Sequence, residues 1–518
     1  MIGLPPGRPH SAPPDAAAPS AGGSMRAKIG RVAAASGLAL IVGELITLAQ
    51  VIALARLLTP TEVGIYAAGT ILTVFLGDMA EGGLRSAVIQ RHGDIDDAVA
   101  TTFWATLFNG VLLSLAALIA APIIGWIFHS SAIALVAAVT SGSLLVLALT
   151  NVPEALLQRR FSALRGFIVG PAMSLSYGVV AVVTAANGWG VWSMVAGAYA
   201  SYTAAVVGLW LICDWRPGRG RFSFTLWREL ARFGFPLIVM ALGYRIKNMI
   251  EAVIVGRRLG ESGLGQYRYA QRIGQIPVRA IISVGGVALF PAFARISGHG
   301  DKERLRAAYL RAIQWGMIAA APVTAMMIAV GLPSVVVVLG ERWREAGVAV
   351  VAMAGVGVGR ALQSVSQEAI KGAGRTPLIH WCTAVEVVGG LVLVLSLIGP
   401  FGLLGVGLAA SITAILVGAI YVLFARSVIE VATKPLLRAI VPPLPAAAVA
   451  CGVTLYLEHT VFHSDSHAAL AAIGLLLADT LIFGTTYLAA LLVIEPKVVR
   501  QLTEVSLRLA GRLVPDRR

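Results

Sequence analysis

Long uncharged stretches recur along this sequence and constrain its fold more than any other feature. About fourteen apolar segments of roughly 20 to 28 residues can be marked, each long enough to cross a hydrocarbon core as a helix. Of the 518 residues, 57% are hydrophobic and only 13% are charged, a composition far more apolar than that of a soluble globular protein. The sequence therefore predicts an all-α integral membrane protein with about 14 transmembrane helices.

The distribution of Lys and Arg predicts the orientation of these helices. With a cytoplasmic N-terminus, 30 of the 41 Lys and Arg residues fall in inner segments, 5 in outer loops and 6 within predicted helices. Cytoplasmic loops of membrane proteins carry such an excess, so we expect both termini in the cytoplasm. The net charge of +15 then reflects membrane topology, and no nucleic-acid partner is expected.

One short motif occurs twice in the chain. It reads "ARLLTPTEVGIYA" at 55–67 and "GRRLGESGLGQYR" at 256–268. At a constant offset of 201, the identical pairs are Arg56/Arg257, Leu58/Leu259, Gly64/Gly265 and Tyr66/Tyr267. Six predicted helices separate the two copies, and an even number preserves orientation, so two parallel repeats are expected.

Each copy is predicted to turn one helix into the next. In the first copy, Thr59 is a plausible N-cap, Pro60 suits the first helical position and Glu62 completes a capping box. In the second copy, Ser262 is the expected cap.

The repeat and the helix pattern together predict six regions. These are a disordered cytoplasmic tail at 1–28, an N-terminal lobe of helices 1–6 at 29–213, a basic cytoplasmic linker at 214–229, a C-terminal lobe of helices 7–12 at 230–430, two further helices at 431–495 and an amphipathic basic cytoplasmic tail at 496–518.

Several motifs in the membrane body resemble one transporter family. They are "ARLLTPTEVGIYA", "GGLRSAVIQR", "NVPEALLQRRF", "GWGVWSMVAG", "RRLGESGLGQYRYAQRI", "LFPAFARIS", "LGERWREA" and "KGAGRTPL". They are similar to those of polysaccharide-transport (Wzx-type) flippases of the multidrug/oligosaccharidyl-lipid/polysaccharide exporter superfamily. The resemblance covers roughly residues 30 to 430.

This resemblance implies an architecture, a substrate class and a location. The expected fold has two six-helix lobes around a central cavity lined largely by helices 1, 2, 7 and 8. The family moves oligosaccharides linked to a polyprenyl diphosphate from the cytoplasmic to the outer leaflet of the bacterial inner membrane by alternating access. Membrane lipids and other polysaccharide-assembly proteins are the further partners that the resemblance implies.

A polar stripe runs along predicted helix 8. At 100° per residue, its members fall within a narrow sector: Arg268, Gln271, Arg272, Gln275 and Arg279. Facing lipid, each central Arg would cost about 2.5–3.5 kcal/mol, so this face must meet protein or a water-filled cavity. Arg245 and Lys247 on helix 7 add to the same positive field. We therefore predict binding of a diphosphate by Arg245 and the helix 8 stripe, because the guanidinium fork matches phosphate oxygens.

An alternative hypothesis is that these cations pair with buried acids in structural salt bridges. Glu44, near the middle of helix 1, is the leading candidate for a coupling acid, and Asp78 and Glu81 on helix 2 are candidate gating residues. Each could equally pair with a cation of helix 7 or 8. Arg360, on a similar polar face of helix 10, is expected to pack between helices away from the central lining.

No chemical cofactor is expected, although transport could be coupled to a proton or sodium gradient. Cys213, Cys382 and Cys451 lack metal-site spacing. His459, His463 and His467 recur every four residues, but a solvated loop explains them as well as a metal does.

Two other functions remain open at this point. A cation-coupled multidrug exporter of the same superfamily should favour acids over arginines in its cavity. A membrane-embedded glycan polymerase or transferase should carry a catalytic extramembrane region, for which the short outer loops leave no room.

Overall fold

The computed structural model describes residues 43, 45–81, 83–91, 95–160, 169–298, 301–467 and 469–496, without the side chains at 78, 80–81, 236–241, 244, 277–288 and 469. Every regular element in these ranges is helical, which confirms the predicted all-α class. The longer helices are α1 Leu45–Leu57, α2 Pro60–Gly69, α3 Ile71–Glu81, α4 Leu84–Gln90, α5 Asp96–Phe128, α6 Ser131–Ser141, α7 Ser143–Ala148, α8 Asn151–Arg159, α9 Gly170–Ala186, α10 Val191–Ile212, α11 Phe224–Gly298, α12 Lys302–Leu339, α13 Arg344–Ala352, α14 Val356–Gly372, α15 Pro377–Ile429, α16 Thr433–Ile440, α17 Pro443–Leu457 and α18 Ala469–Ile494.

Membrane crossing is supported by length and composition. Among the described residues, 7 helices are long and apolar enough to span, or up to 9 if each bent pair counts as one span. The bent pairs are α1 with α2, at 119°, and Glu341–Ala352 with α14, at 43°. The count of fourteen and the two-lobe division stay predictions, and the tail at 1–28 and residues 497–518 lie outside the described ranges.

Two of the longest helices contain a glycine break. The 75-residue α11 is interrupted at Gly260 (φ 72°, ψ −173°) and the 53-residue α15 at Gly402 (φ 56°, ψ −130°). Positive φ favours glycine because a Cβ would collide with the backbone. At about 1.5 Å per residue, each helix is much longer than one crossing of a core about 30 Å thick.

The start of α2 forms the capping box that the sequence predicts. The Thr59 hydroxyl accepts from the Glu62 N–H at 3.3 Å, and the Glu62 carboxylate accepts from the Thr59 N–H at 2.7 Å. The cap predicted at Ser262 is wrong, because this residue lies inside α11 just after the Gly260 break. There the glycine conformation, and not a capping side chain, changes the direction of the backbone.

The two copies of the repeated motif pack directly against each other. A Cβ at Gly64 would overlap the carbonyl oxygen of Glu261, and a Cβ at Gly265 would overlap that of Pro60. Pro60 and Glu261 are themselves equivalent at the offset of 201, so the contact is quasi-symmetric. We call this contact the glycine seam.

Hydrogen bonds fasten the same end of the bundle. The Arg56 guanidinium donates to the carbonyls of Val337 and, at 2.9 Å, Val338. The fully buried Trp343 donates from Nε1 to the Ala55 carbonyl at 2.8 Å and stacks on Tyr269 at 4.2 Å. The end of α1, the part of α11 that follows Gly260 and the end of α12 are therefore held together beside the glycine seam.

Candidate functional site

A cavity of about 970 Å³ lies between α1, α11, α14 and α15. Its walls include residues from both arms of α11, before and after Gly260. The predicted helix 2, centred near residue 75, corresponds to α2 and α3, and no described side chain of either helix lines the cavity. The side chains at 78, 80 and 81 lie outside the described residues, so the place of helix 2 in the lining stays a prediction. The tight approach at the glycine seam leaves α2 packed on α11 with no room for a cavity between them.

Four polar residues of the predicted helix 8 stripe line this cavity: Arg268, Gln271, Arg272 and Gln275. Arg268 is half-buried and Arg272 is exposed. The Gln271 side chain donates to the Tyr267 hydroxyl at 2.6 Å, which fixes the start of the stripe. Helical periodicity therefore identified a face that lines the cavity.

Lys247 and Glu251 form one ion pair in the cavity wall. The Lys247 ammonium lies 3.3 Å from the Glu251 carboxylate, four residues later on α11. Glu251 is only 5% exposed and also accepts a hydrogen bond from the Tyr267 hydroxyl. The negative charge of Glu251 and the positive charge of Lys247 therefore largely compensate each other within α11.

Arg360 and Glu386 form a second ion pair across α14 and α15. The Arg360 guanidinium donates to Glu386 at 2.7 Å and to Gln363 at 2.6 Å. Arg360 also lines the cavity, so the prediction that helix 10 lies away from the central lining is wrong. The residue does pack between helices as expected, but at the wall of the cavity.

The charges of the described lining residues are unequal. The cations are Lys247, Arg268, Arg272 and Arg360, and the acids are Glu251 and Glu386. Each acid pairs with Lys247 or Arg360. Within the described ranges, no carboxylate forms an ion pair with Arg268 or Arg272. Among the described lining residues, these two guanidinium groups therefore account for the excess positive charge.

Other predicted site residues lie outside the cavity lining or outside the described residues. Arg245 is exposed, interacts with other groups of the chain and is not part of the described lining. Glu44 and the side chains of Asp78, Glu81 and Arg279 lie outside the described residues, so their predicted roles stay predictions. His459, His463 and His467 do not share one regular helix, and no group of three potential metal ligands occurs among the described residues.

Glu386 is a cavity residue that the sequence reasoning missed. It stands alone in the apolar run "TAVEVVGGLVLV" and is 7% exposed in the structure. An acid inside a membrane segment is expensive unless it is paired or functional. The isolated acid in an apolar segment was the sequence signal that could have identified Glu386. A possible partner, Arg360, lies in the preceding predicted helix.

Removing Glu386 should destabilise the protein, because Arg360 would lose the carboxylate to which it donates at 2.7 Å. We expect Glu386→Ala to lower the free energy of unfolding by about 3 kcal/mol, the low end of the cost of removing one partner of a buried ion pair, because Arg360 is partly exposed. Replacing Arg360 and Glu386 together by leucine should recover much of this loss. Thermal unfolding in detergent measures both effects, with the exposed Glu345→Ala as the matched control. Equal stability of Glu386→Ala and the control would contradict the structural role.

Sequence comparisons identify relatives of this chain. The polysaccharide biosynthesis protein family matches residues 53–348. A succinoglycan biosynthesis transport protein, ExoT of Rhizobium meliloti (strain 1021), is 28% identical over 89% of this chain and 92% of its own length. The lipopolysaccharide biosynthesis protein WzxC of Escherichia coli (strain K12) is 22% identical over 62% of this chain and 65% of its own. These matches confirm the family resemblance seen in the motifs.

Solved structures share the fold. The lipid II flippase MurJ in an inward closed conformation aligns with a TM-score of 0.71, 15% identity, and coverage of 90% of this chain and 99% of its own. A multidrug resistance transporter of the MOP superfamily in an inward-facing conformation aligns with a TM-score of 0.63, 18% identity, and coverage of 75% and 94%. At these identities the likeness concerns the fold alone.

Proposed function

The chain belongs to the polysaccharide biosynthesis protein family, and from this premise we propose that it is a flippase for a polyprenyl-diphosphate-linked oligosaccharide. It would move this lipid from the cytoplasmic to the outer leaflet of a bacterial inner membrane, for export of a surface polysaccharide. Its relatives include a protein named for succinoglycan transport, and its fold is that of a lipid II flippase. No covalent chemistry on the substrate is required.

The observation that carries the proposal is the pair of arginines without a described carboxylate partner in the cavity. Every described acid of the lining is already paired, so Arg268 and Arg272 are available to an anion. Arginine binds phosphate oxygens through two parallel N–H donors, and such charge-assisted hydrogen bonds are about twice as strong as neutral ones. A diphosphate on this stripe would have its charge compensated while its polyprenyl chain stays in lipid.

Transport would follow by alternating access. The positive-inside bias assigns the loops beside the glycine seam to the outer side, so the described conformation is closed toward the outside. The headgroup would enter from the cytoplasmic leaflet, after which the seam would part and the cytoplasmic side would close. Glu44, Asp78 and Glu81 are candidate acids for coupling this cycle to a proton or sodium gradient.

A deletion strain tests the function. We expect polyprenyl-diphosphate-linked glycan to accumulate on the cytoplasmic leaflet, where a periplasmic glycosidase cannot reach it, and complementation to restore access. If the accumulated glycan is already accessible from the periplasm, the protein does not translocate it.

The same strain separates the two rival functions. A multidrug exporter would leave the lipid-linked glycan unchanged and alter resistance to organic cations. A polymerase or transferase would leave a shortened glycan already accessible from the outside. The excess of arginine over acid in the cavity argues against a pocket for cationic drugs.

A further inference from the structure

The short helix α16 is fixed to the bundle on one side only. It connects α15 to α17, and together with α17 it belongs to a candidate membrane span from Thr433 to Ser466. Two of its side chains, Leu436 and Ala439, are buried in a core to which α12, α14 and α15 also contribute. The opposite side of α16 is exposed.

This exposed side combines two cations with two apolar side chains. At 100° per residue, its members fall within a sector of about 100°: Lys434, Leu437, Arg438 and Val441. Leu437 is 52% exposed and Val441 is 46% exposed. The four residues, with two neighbours, line a groove of about 480 Å³ formed by Thr433, Lys434, Leu437, Arg438, Val441 and Pro442. We call it the α16 groove.

The two cations of the α16 groove have no acidic partner within the described part of the chain. The acid that precedes α16, Glu430, pairs with Lys302 at 2.9 Å and with Arg306 at 2.8 Å. No described carboxylate forms an ion pair with Lys434 or Arg438. The groove therefore offers two positive charges to an anion from outside the chain.

The position of the groove at the membrane determines which anion meets both of its parts. The positive-inside bias assigns the segment between α15 and α17 to the cytoplasmic side. Water there would leave Leu437 and Val441 uncovered, and hydrocarbon would leave the two cations without a counter-charge. An anionic phospholipid supplies a phosphate for the cations and acyl chains for the apolar side chains.

We propose that the α16 groove binds an anionic phospholipid of the inner leaflet. The site is separate from the transport cavity, because no residue of the groove lines that cavity. It is also independent of the proposed substrate.

The spacing of the two cations fits one lipid headgroup. Side chains at i and i+4 of a helix lie about 5–6 Å apart at Cβ, so Lys434 and Arg438 reach the same phosphate. The guanidinium donates two parallel N–H groups to its oxygens, and the ammonium adds a point charge. The acyl chains lie on Leu437 and Val441. A zwitterionic lipid binds more weakly, because its own cation already compensates its phosphate.

Native mass spectrometry of the purified, delipidated full-length protein tests the proposal. Titration of the wild type should show tighter binding of dioleoyl phosphatidylglycerol than of dioleoyl phosphatidylcholine. Lys434→Ala with Arg438→Ala should weaken binding of phosphatidylglycerol roughly 10- to 30-fold, because each cation near an anionic lipid contributes several-fold. Binding of phosphatidylcholine should change little.

Arg304→Ala with Arg311→Ala is the matched control. It removes the same two charges from exposed positions on α12, whose Leu305 shares the buried core with Leu436 of α16. No large apolar side chain is exposed between these two arginines, so they lack the second part of the site. This variant should bind phosphatidylglycerol nearly as well as the wild type. Thermal unfolding shows whether both double variants are folded.

Three results would overturn the proposal. Equal binding of phosphatidylglycerol by the wild type and the Lys434/Arg438 variant would place the lipid elsewhere. Displacement of the lipid by inorganic phosphate at constant ionic strength would show a site for free phosphate. A dimer that Leu437→Asn separates into monomers would show that the groove is an interface between two copies of the chain.

Discussion

Replacing Arg268 and Arg272 together by alanine is expected to abolish binding of a polyprenyl diphosphate and, with it, transport. Charge-assisted hydrogen bonds contribute roughly 1.5–3 kcal/mol, so each arginine should change the dissociation constant by about 10- to 100-fold. The double variant leaves Lys247 and Arg360 in the cavity, but each is already paired with an acid. Titration of purified protein with polyprenyl diphosphate, followed by native mass spectrometry, measures the loss.

A matched control distinguishes a specific role of the two cavity arginines from a general effect of positive charge on binding. Arg228→Ala with Arg232→Ala removes the same two charges from exposed positions on the same helix, α11, outside the described lining. It should bind nearly as well as the wild type. Arg268→Lys should bind with intermediate affinity, because lysine keeps the charge but lacks the planar fork. Equal losses in both double variants would show that the cavity arginines have no special role.

Alanine at Gly64 or Gly265 is expected to prevent closure of the outer end and to stop transport. The new Cβ would overlap a backbone carbonyl, which cannot move aside as the end of a flexible side chain can. Overpacking of this kind costs about 1–3 kcal/mol or more, which shifts a two-state population by roughly ten- to a hundred-fold. The conformation with a parted seam should therefore become dominant.

Spin labels can follow this shift. Thr61 and Ser262 are equivalent exposed positions on either side of the glycine seam, and the three native cysteines are buried. The distance between labels at 61 and 262 should lengthen in Gly64→Ala and Gly265→Ala. Gly243→Ala, where a Cβ meets nothing within 4 Å, should keep the wild-type distance and transport. An unchanged distance in both seam variants would show that the seam does not control the outer end.

Much of the fold follows from local sequence patterns. The helical class, the Thr59 capping box and the family motifs depend on residues close together in the chain, where spacing determines contact. The same is true of the arginine stripe: residues 268, 271, 272 and 275 share one face at helical periodicity, and the structure places them on one cavity wall.

Contacts between distant segments could not be predicted in this way. The repeat marked Gly64 and Gly265 as equivalent, but their direct contact depends on how two helices pack across 201 residues. Arg360 and Glu386 belong to different helices, so periodicity within each helix did not reveal their pairing. No described α2 residue lines the cavity, because α2 packs on α11 at the glycine seam. This contact joins distant segments, so local sequence patterns did not predict it either.

Glu458 and Asp479 are two further buried acids that the sequence analysis did not identify. Each is an isolated acid near or within an apolar stretch, a signal as clear as that of Glu386. Sequence alone did not predict that both are buried, because their burial depends on how α17 and α18 pack against each other and against α12.

The most direct measurement of the central claim is the position of the diphosphate in a cryo-electron microscopy structure of the protein with its polyprenyl-diphosphate glycan. Our account predicts phosphate density within hydrogen-bonding distance of both the Arg268 and Arg272 guanidinium groups. Phosphate density elsewhere, with these two side chains unchanged and the cavity without ligand, would contradict it.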